Sequence, residues 1–218
     1  MPDVSVPAAS SDAGEAAALM SRRHGWLRFR ATGERLPLRL DDDPAPWQGL
    51  LLDDHRRWYG PQVPSQVAGA FVLQYLLQVP AQTAAVAASV GLRVRALADL
   101  TFERGPGAVP RLVEVGDLVR TADEPFEVRL SRAERDYRTV AEPLARSYPS
   151  TRRMGSHQRS GMVSDMWAEA ARDVRTRAGD LPLGETRRIS CCLIYALPGC
   201  HECAGCPRRS PPQDRAVP

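Results

Sequence analysis

"PSQVAGAFVLQYLLQVPAQTAAVAASVGL", residues 64–92, contains the most apolar run of the chain and sets the plan of everything around it. Pro64 suits a first helical turn, and the spacing predicts a helix from Pro64 to Val79. Gln62, Gln66, Gln74 and Gln78 recur at multiples of four residues and so share one face, while Val67, Ala70, Phe71, Leu73, Leu76 and Leu77 occupy the others. The pattern is that of a mostly buried helix with one narrow polar stripe. Pro80 has no N–H to continue the ladder, so "QTAAVAASVGL" (82–92) reads as a second helix. Divided in this way, "VAGAFVLQYLL" is too short to span a bilayer and carries Gln74 within it, so no membrane span is expected.

Working outward, "GWLRFRATGERLPLRL" (25–40) alternates apolar with basic or polar positions about a central "TGE", which predicts two short strands joined by a turn. "WQGLLLDDHRRWYG" (47–60) reads as a short helix stopped at Gly60-Pro61. On the other side, "AVPRLVEVGDLV" (108–119) and "PFEVRL" (125–130) are short and β-branched and read as strands. "SRAE" (131–134) has the form of a capping box opening a helix that runs to about Ser147 across Pro143. "SGMVSDMWAEAARDVRTRAG" (160–179) gives a long helix with Val163, Met166, Trp167, Ala170 and Val174 on one face and Gly179 as its stop. Residues 1–22, rich in Ala, Ser, Asp and Pro, and residues 208–218 are expected to be disordered tails. The fold class that follows is α+β and mainly helical: one domain over 23–207, a helical body with a small antiparallel sheet and a cysteine-bearing loop at its C-terminal end.

A chain of 218 residues, 43% hydrophobic, is long enough to bury a real core. Its net charge of +3 is too mild to argue for a nucleic-acid partner. All 29 basic residues are arginine, a uniformity that reads as codon bias more readily than as a demand for bidentate arginine chemistry. The N-terminal stretch has neither the basic start nor the apolar core of a secretory signal, so a cytoplasmic location is expected.

All five cysteines lie between 191 and 206: Cys191, Cys192, Cys200, Cys203 and Cys206. In a reducing compartment such a cluster points to metal ligation rather than a disulfide framework. Pro198-Gly199, Gly205 and Pro207 supply turns that let backbone amides face sulfur ligands. Thiolates this close repel unless a cation neutralises them, and a thiolate-rich site selects zinc or an iron–sulfur cluster. Zinc prefers two separated knuckles, whereas "CHECAGC" is one overlapping pair and its counterpart is a vicinal "CC" whose side chains diverge in an extended chain. Two irons can take ligands from a wider range of directions, which favours iron–sulfur modestly and leaves Zn2+ as the alternative cofactor.

"RRISCCLIYALPGCHECAGCP" resembles the C-terminal signature of the FhuF-like ferric-siderophore reductases: Cys-Cys, ten residues, Cys, two residues, Cys, with basic residues before it and proline after. The resemblance is strongest over 185–207 and takes in Arg187, Arg188, Tyr195 and Pro207. Upstream, only the placement of the helices at 64–79 and "MVSDMWAEAA" is similar. It implies a [2Fe–2S] cluster on Cys191, Cys192, Cys203 and Cys206, with no catalytic residue beyond the cluster. The implied substrate is a ferric siderophore, and the implied electron donor a ferredoxin or flavoprotein. Cys200 departs from the pattern and stands as an alternative ligand. A non-catalytic helical protein with a structural zinc knuckle, or an iron–sulfur sensor, are the rival functions.

Other candidates are weaker. His24, His55 and His157 have no ligand spacing and read as surface or locally bonded residues, and one histidine, His201, is too few for a Rieske centre. Asp41, Asp42 and Asp43 read as a solvated turn. Arg152, Arg153, Arg159, Arg187, Arg188, Arg208 and Arg209 either border a site for an anionic chelate or redox partner or are ordinary surface groups. No phosphate loop or dinucleotide fingerprint is present, so electrons are expected from another protein.

Overall fold

A computed structural model describes residues 9–31, 33, 35–150, 154–179 and 187–209. Five helices occur among them: α1 Ala9–Arg23, α2 Ala45–Tyr59, α3 Ser65–Ser89, α4 Phe126–Ser147 and α5 Ser156–Ala178. Six short strands accompany them: β1 Arg28–Arg30, β2 Leu38–Arg39, β3 Leu92–Val94, β4 Thr101–Arg104, β5 Pro110–Glu114 and β6 Leu118–Arg120. The mainly helical α+β class is borne out.

The 25-residue α3 is the axis of the molecule, packed on by α2, α4 and α5. It does not break at Pro80, as the sequence predicts, but runs through it. Proline forfeits one backbone bond. Here its ring is buried, and the small residues Ala81, Ala84, Ala85, Ala87 and Ala88 let neighbouring elements pack close along the second half. Burial of a continuous apolar cylinder outweighs the lost bond. Helix α3 is consequently long and apolar enough to cross a membrane, contrary to the expectation from its first half, but 83% of its most apolar window is buried inside the fold. Its end is set at Gly91, whose φ of +74° and approach to Ala122 exclude a side chain.

The polar stripe faces α5. Gln78 Nε2 donates to Glu169 at 3.2 Å and Gln82 Nε2 to Asp173 at 3.4 Å, both pairs 91 residues apart, so the two helices run in the same direction along this seam. His24 closes its far end: its Nδ1 accepts the N–H groups of Trp26 and Leu27, which leaves Nε2–H to donate to Gln82 Oε1 at 3.0 Å. Burial, before the charge of Arg177, lowers its pKa and keeps it neutral. The locally bonded reading of His24 holds.

The main sheet has the order β1-β5-β4-β2, with β1 and β5 parallel and the other pairs antiparallel, while β3 and β6 form a separate antiparallel pair. The sheet is thus mixed rather than purely antiparallel. Both strands expected in 25–40 exist but do not pair with each other; they flank the β4–β5 hairpin, whose turn at Gly105–Ala108 is closed by Gly105 N–H to Val109 O at 2.8 Å. Residues 125–130 are not a strand. Pro125 precedes α4, and Leu130, Ala133, Tyr137, Ala141 and Ala145 form one buried helical stripe that overrides the local β propensity of the exposed Val128. "SRAE" accordingly lies inside α4, where Glu134 pairs with Arg138. Residues 9–22 are not a tail either: Ala17 and Met20 of α1 are buried in the core. Residues 1–8 and 210–218 lie outside the described residues. Helix α5 matches its predicted face, and Gly179 stops it in the left-handed region.

Burial raises the pKa of Glu169, Asp173 adds to that, and Arg188 and Gln78 oppose it. The folded chain therefore holds this proton more tightly than the unfolded chain does. The stabilisation it contributes is full below the ordinary glutamate range and is lost as pH rises through that range toward the raised value. Glu169→Gln keeps a polar partner for Gln78 and removes the charge. Thermal melts of wild type and variant should separate in favour of the variant between about pH 5 and about pH 8; a Tm difference that stays flat with pH would contradict this account.

Candidate metal centre

The cysteine segment is docked on one face of α5. Gln158, Gly161 and Asp165, spaced by three and four residues, share that face. Asp165, 6% exposed, accepts the N–H of Ile189 at 2.7 Å on one oxygen, and the N–H (2.8 Å) and hydroxyl of Ser190 on the other. Gln158 Nε2 donates to Cys191 O at 2.9 Å. Gly161 makes the approach feasible: a Cβ there would lie 3.1 Å from Ile189 Cγ2 and from Ser190 Cβ. Arg188 bridges to α3, donating from Nη2 to Gln74 Oε1 at 3.1 Å. Its Nε lies 3.6 Å from Asp165 Oδ2, close enough for charge attraction but too long for a hydrogen bond. Its backbone N–H donates to Gly205 O at 2.8 Å, closing the loop on itself.

Leu193, at φ +64°, reverses the chain after the vicinal pair, and its N–H points at Cys191 Sγ, 3.4 Å away. A 3₁₀ turn over Ile194–Ala196 follows, and Leu197 then anchors the segment in a small apolar cluster with Val63 and Val67. Cys206 N–H donates to Cys203 O at 3.0 Å, forming the Cys-x2-Cys turn.

Four of the thiols lie near one another. Cys192 Sγ and Cys203 Sγ are 3.9 Å apart, close to the roughly 3.8 Å that separates two thiolates on one tetrahedral ion with metal–sulfur bonds of about 2.3 Å. Burial raises the Cys191 pKa, the Leu193 N–H opposes it by favouring the thiolate, and the Cys206 and Cys192 thiols raise it further. Cys203 is pushed up to about 11, first by burial, then by Cys192 and Cys206, against the pull of Arg188. Burial leads in both shifts, and the neighbouring thiols add to it. Cys192 (5% exposed) and Cys206 (3%) are shielded, while Cys191 and Cys203 are half-buried. Cys200 stands apart, packed on the Val63–Val67–Leu197 cluster, where its thiol raises the pKa of Tyr59. Among the described residues no three His, Cys, Asp or Glu side chains converge on a point that would hold one metal ion.

Residues 188–208 match the family model of the FhuF 2Fe-2S C-terminal domain. The match covers the cysteine segment and bears out the resemblance read from its spacing. It supports an iron–sulfur cluster there. No curated protein and no solved structure compared with the chain matches it. The donor set fits such a cluster: five soft sulfurs lie in one short segment, two of them 3.9 Å apart.

Of the arginines singled out in the sequence, Arg187, Arg188, Arg208 and Arg209 surround the cysteines. Arg159 does not; it caps the end of α4 by donating to the carbonyls of Ala145 and Arg146, and it also bonds Met154 O. Arg152 and Arg153 lie outside the described residues. Asp41, Asp42 and Asp43 form a turn around Arg39 and Ala45, as expected. Sequence reasoning missed Gln158, Gly161 and Asp165. The available signal was an aspartate set between Val163 and Met166 on the core side of a helix, a position that demands buried partners.

Asp165→Ala would leave two amides and a hydroxyl of the docked strand unpaired, at about 1–3 kcal/mol each if they stayed buried, so the strand should detach instead. Gly161→Leu should do the same by displacement. In both variants tryptic cleavage at Arg187–Arg209 is expected to quicken roughly tenfold or more, while the melting of the helical body moves little. Unchanged cleavage would show that these contacts do not hold the segment.

Proposed function

We propose that the protein is a cytoplasmic one-electron reductase of siderophore-bound Fe(III), with a [2Fe–2S] cluster held by Cys191, Cys192, Cys203 and Cys206. The observation that carries the reading is the gathering of those four thiols, Cys192 and Cys203 at 3.9 Å, within a segment that matches an FhuF 2Fe-2S domain. In this reading Cys191, Cys192, Cys203 and Cys206 would hold the cluster, and Cys200, beside Tyr59, would not.

When bound, such a cluster supplies a one-electron redox centre of low potential, which suits it to reducing Fe(III). Siderophores of hard oxygen donors grip Fe(III) far more tightly than Fe(II), so one electron added to the ferric ion loosens it with the chelator intact. The chain's own residues do the rest. The Leu193 N–H directed at Cys191 Sγ stabilises negative charge on that sulfur and so tunes the site. Arg188, held between Gln74 and Asp165, places a fixed positive charge beside Cys203. Shielded Cys192 and Cys206 keep water off one side, while half-buried Cys191 and Cys203 leave a short path to the surface. No dinucleotide fingerprint is present in the sequence, so a ferredoxin or flavoprotein is assigned as donor.

The test is anaerobic metal analysis with a visible spectrum, on wild type and on Cys191→Ser, Cys203→Ser and Cys200→Ser. Wild type should be brown-red with about two irons per chain, the first two variants should bleach, and Cys200→Ser should keep its colour. A colourless, zinc-loaded protein would replace the reductase with a structural zinc knuckle. Bleaching by Cys200→Ser but not by Cys191→Ser would overturn the ligand set. Reduction of a ferric hydroxamate, followed with an Fe(II) trap, separates the reductase from an iron–sulfur sensor, which would form the cluster and leave the chelate ferric.

A further inference from the structure

Segment 187–209 carries four arginines against a single acid, Glu202, within a chain whose whole net charge is +3. Three of those guanidinium groups are tied to the loop itself and, among the described residues, to no carboxylate. Arg187 Nη2 donates to the carbonyls of Pro207 and Arg209, Arg209 Nη1 donates to Ala204 O, and Arg208 lies over the Tyr195 ring at 4.5 Å. Each cation is thus held in place by part of its surface and keeps the rest open to solvent, since all three residues are exposed. Elsewhere in the described fold arginines commonly meet acids, as in Arg93–Asp136, Arg132–Glu124 and Arg175–Glu127. Others, such as Arg28, Arg129 and Arg159, bond carbonyls instead; what sets the collar apart is that three such cations gather on one short segment beside the cysteines.

Ile189, next to the docked segment, is 53% exposed, and Trp58 on α2 is 77% exposed. Trp58 is next in sequence to Tyr59, whose pKa the Cys200 thiol of the loop raises. Exposed Trp, Tyr and Arg make up the composition of protein-interface hot spots. Small ligands, by contrast, favour concave sites. The cavities of about 420, 540 and 790 Å3 are lined by residues outside this segment.

We propose that Arg187, Arg208 and Arg209, with Tyr195, Ile189 and Trp58, form the docking surface for an acidic one-electron carrier protein. This rests on the function proposed above and specifies its donor. Charge complementarity names the occupant: clustered cations with no acid partner among the described residues attract a carboxylate-rich face and orient it, and the apolar residues give the encounter a dry centre. One electron leaves the reduced carrier and arrives at the cluster through the half-buried Cys191–Cys203 side, with no bond made and no proton required. The same electron then passes to the ferric chelate.

The experiment uses full-length, cluster-loaded protein and an acidic [2Fe–2S] ferredoxin as probe. Calorimetry of the two oxidised proteins should give a Kd that weakens about tenfold or more between low salt and about 0.3 M salt. Arg208→Glu and Trp58→Ser, neither of which touches a thiol, should each weaken it about tenfold with the visible spectrum unchanged. Ferric-chelate reduction driven by dithionite should stay at the wild-type rate in both. Salt-independent binding, or variants that bind like wild type, would overturn the docking surface. So would variants whose only defect is a raised KM for the chelate, which would give the collar to the substrate. A colourless preparation would instead sink the reductase reading, a failure visible in the spectrum before any binding is measured.

Discussion

Everything at the C-terminal end of this molecule depends on Asp165 taking the backbone of Ile189 and Ser190. A cysteine-rich loop of some twenty residues has little apolar surface of its own, and its ordering entropy has to be met from outside. The carboxylate of α5 meets it with two backbone bonds and a hydroxyl, in a place where water competes poorly. Gly161 lets the strand lie against the helix, and Leu197 fastens the other arm in an apolar niche beside α3. With both arms fixed, the four thiols have little freedom left, and that is the condition for gripping a cluster without a large rearrangement.

Asp165 is also the end of the buried polar seam between α3 and α5. From His24 the seam runs through Gln82–Asp173 and Gln78–Glu169 to Gln74, Arg188 and Asp165. Of the three acids on this face Asp165 is buried, Asp173 half-buried and Glu169 exposed at its edge, and a carboxylate drawn toward a core is costly unless it finds a partner. The glutamines provide neutral partners for Glu169 and Asp173, and Arg188 provides a charged partner for Asp165 at the end where the cysteines sit. A helix as apolar as α3 could slide or rotate among its neighbours, and amides at fixed four-residue intervals give it a register. The same residues that align the core therefore aim the cationic end of the seam at the thiols.

The legible parts of the sequence were those where local chemistry and tertiary environment agree. The helix of 160–179 has a clean apolar face and a glycine stop, and the cysteine spacing is specific enough to identify its segment unaided. The misread parts are places where packing overrode a local rule. Pro80 breaks helices in water, but within a buried cylinder the missing bond matters less than continuous burial. Val128 and its neighbours look like a strand until the stripe from Leu130 to Ala145 is laid over them. Strands β1 and β2 were found, yet their true partners β5 and β4 lie more than sixty residues away, and pairing at that separation leaves no trace in local alternation. Residues 9–22 are too poor in large apolar side chains to look ordered, and two contacts, Ala17 and Met20, suffice once α1 has a core to meet. Within the site, the thiols were legible because cysteine is rare and chemically single-minded. Asp165 and Gly161 were not, because their importance exists only once the strand is laid across α5.

The vicinal cysteines deserve their oddity. Two adjacent residues in extended chain send their side chains apart, which is a poor way to chelate one ion and a good way to serve two. The fold uses that divergence: Cys192 turns to Cys203, 3.9 Å away across the Cys-x2-Cys turn. Leu193 in the left-handed region then brings its N–H back toward Cys191 Sγ instead of continuing an extended course. Burial is the first cause of the raised Cys203 pKa, the Cys192 and Cys206 thiols add to it, and Arg188 opposes it. The segment thus meets thiolate charge with one fixed cation and one directed amide, both supplied by the chain itself.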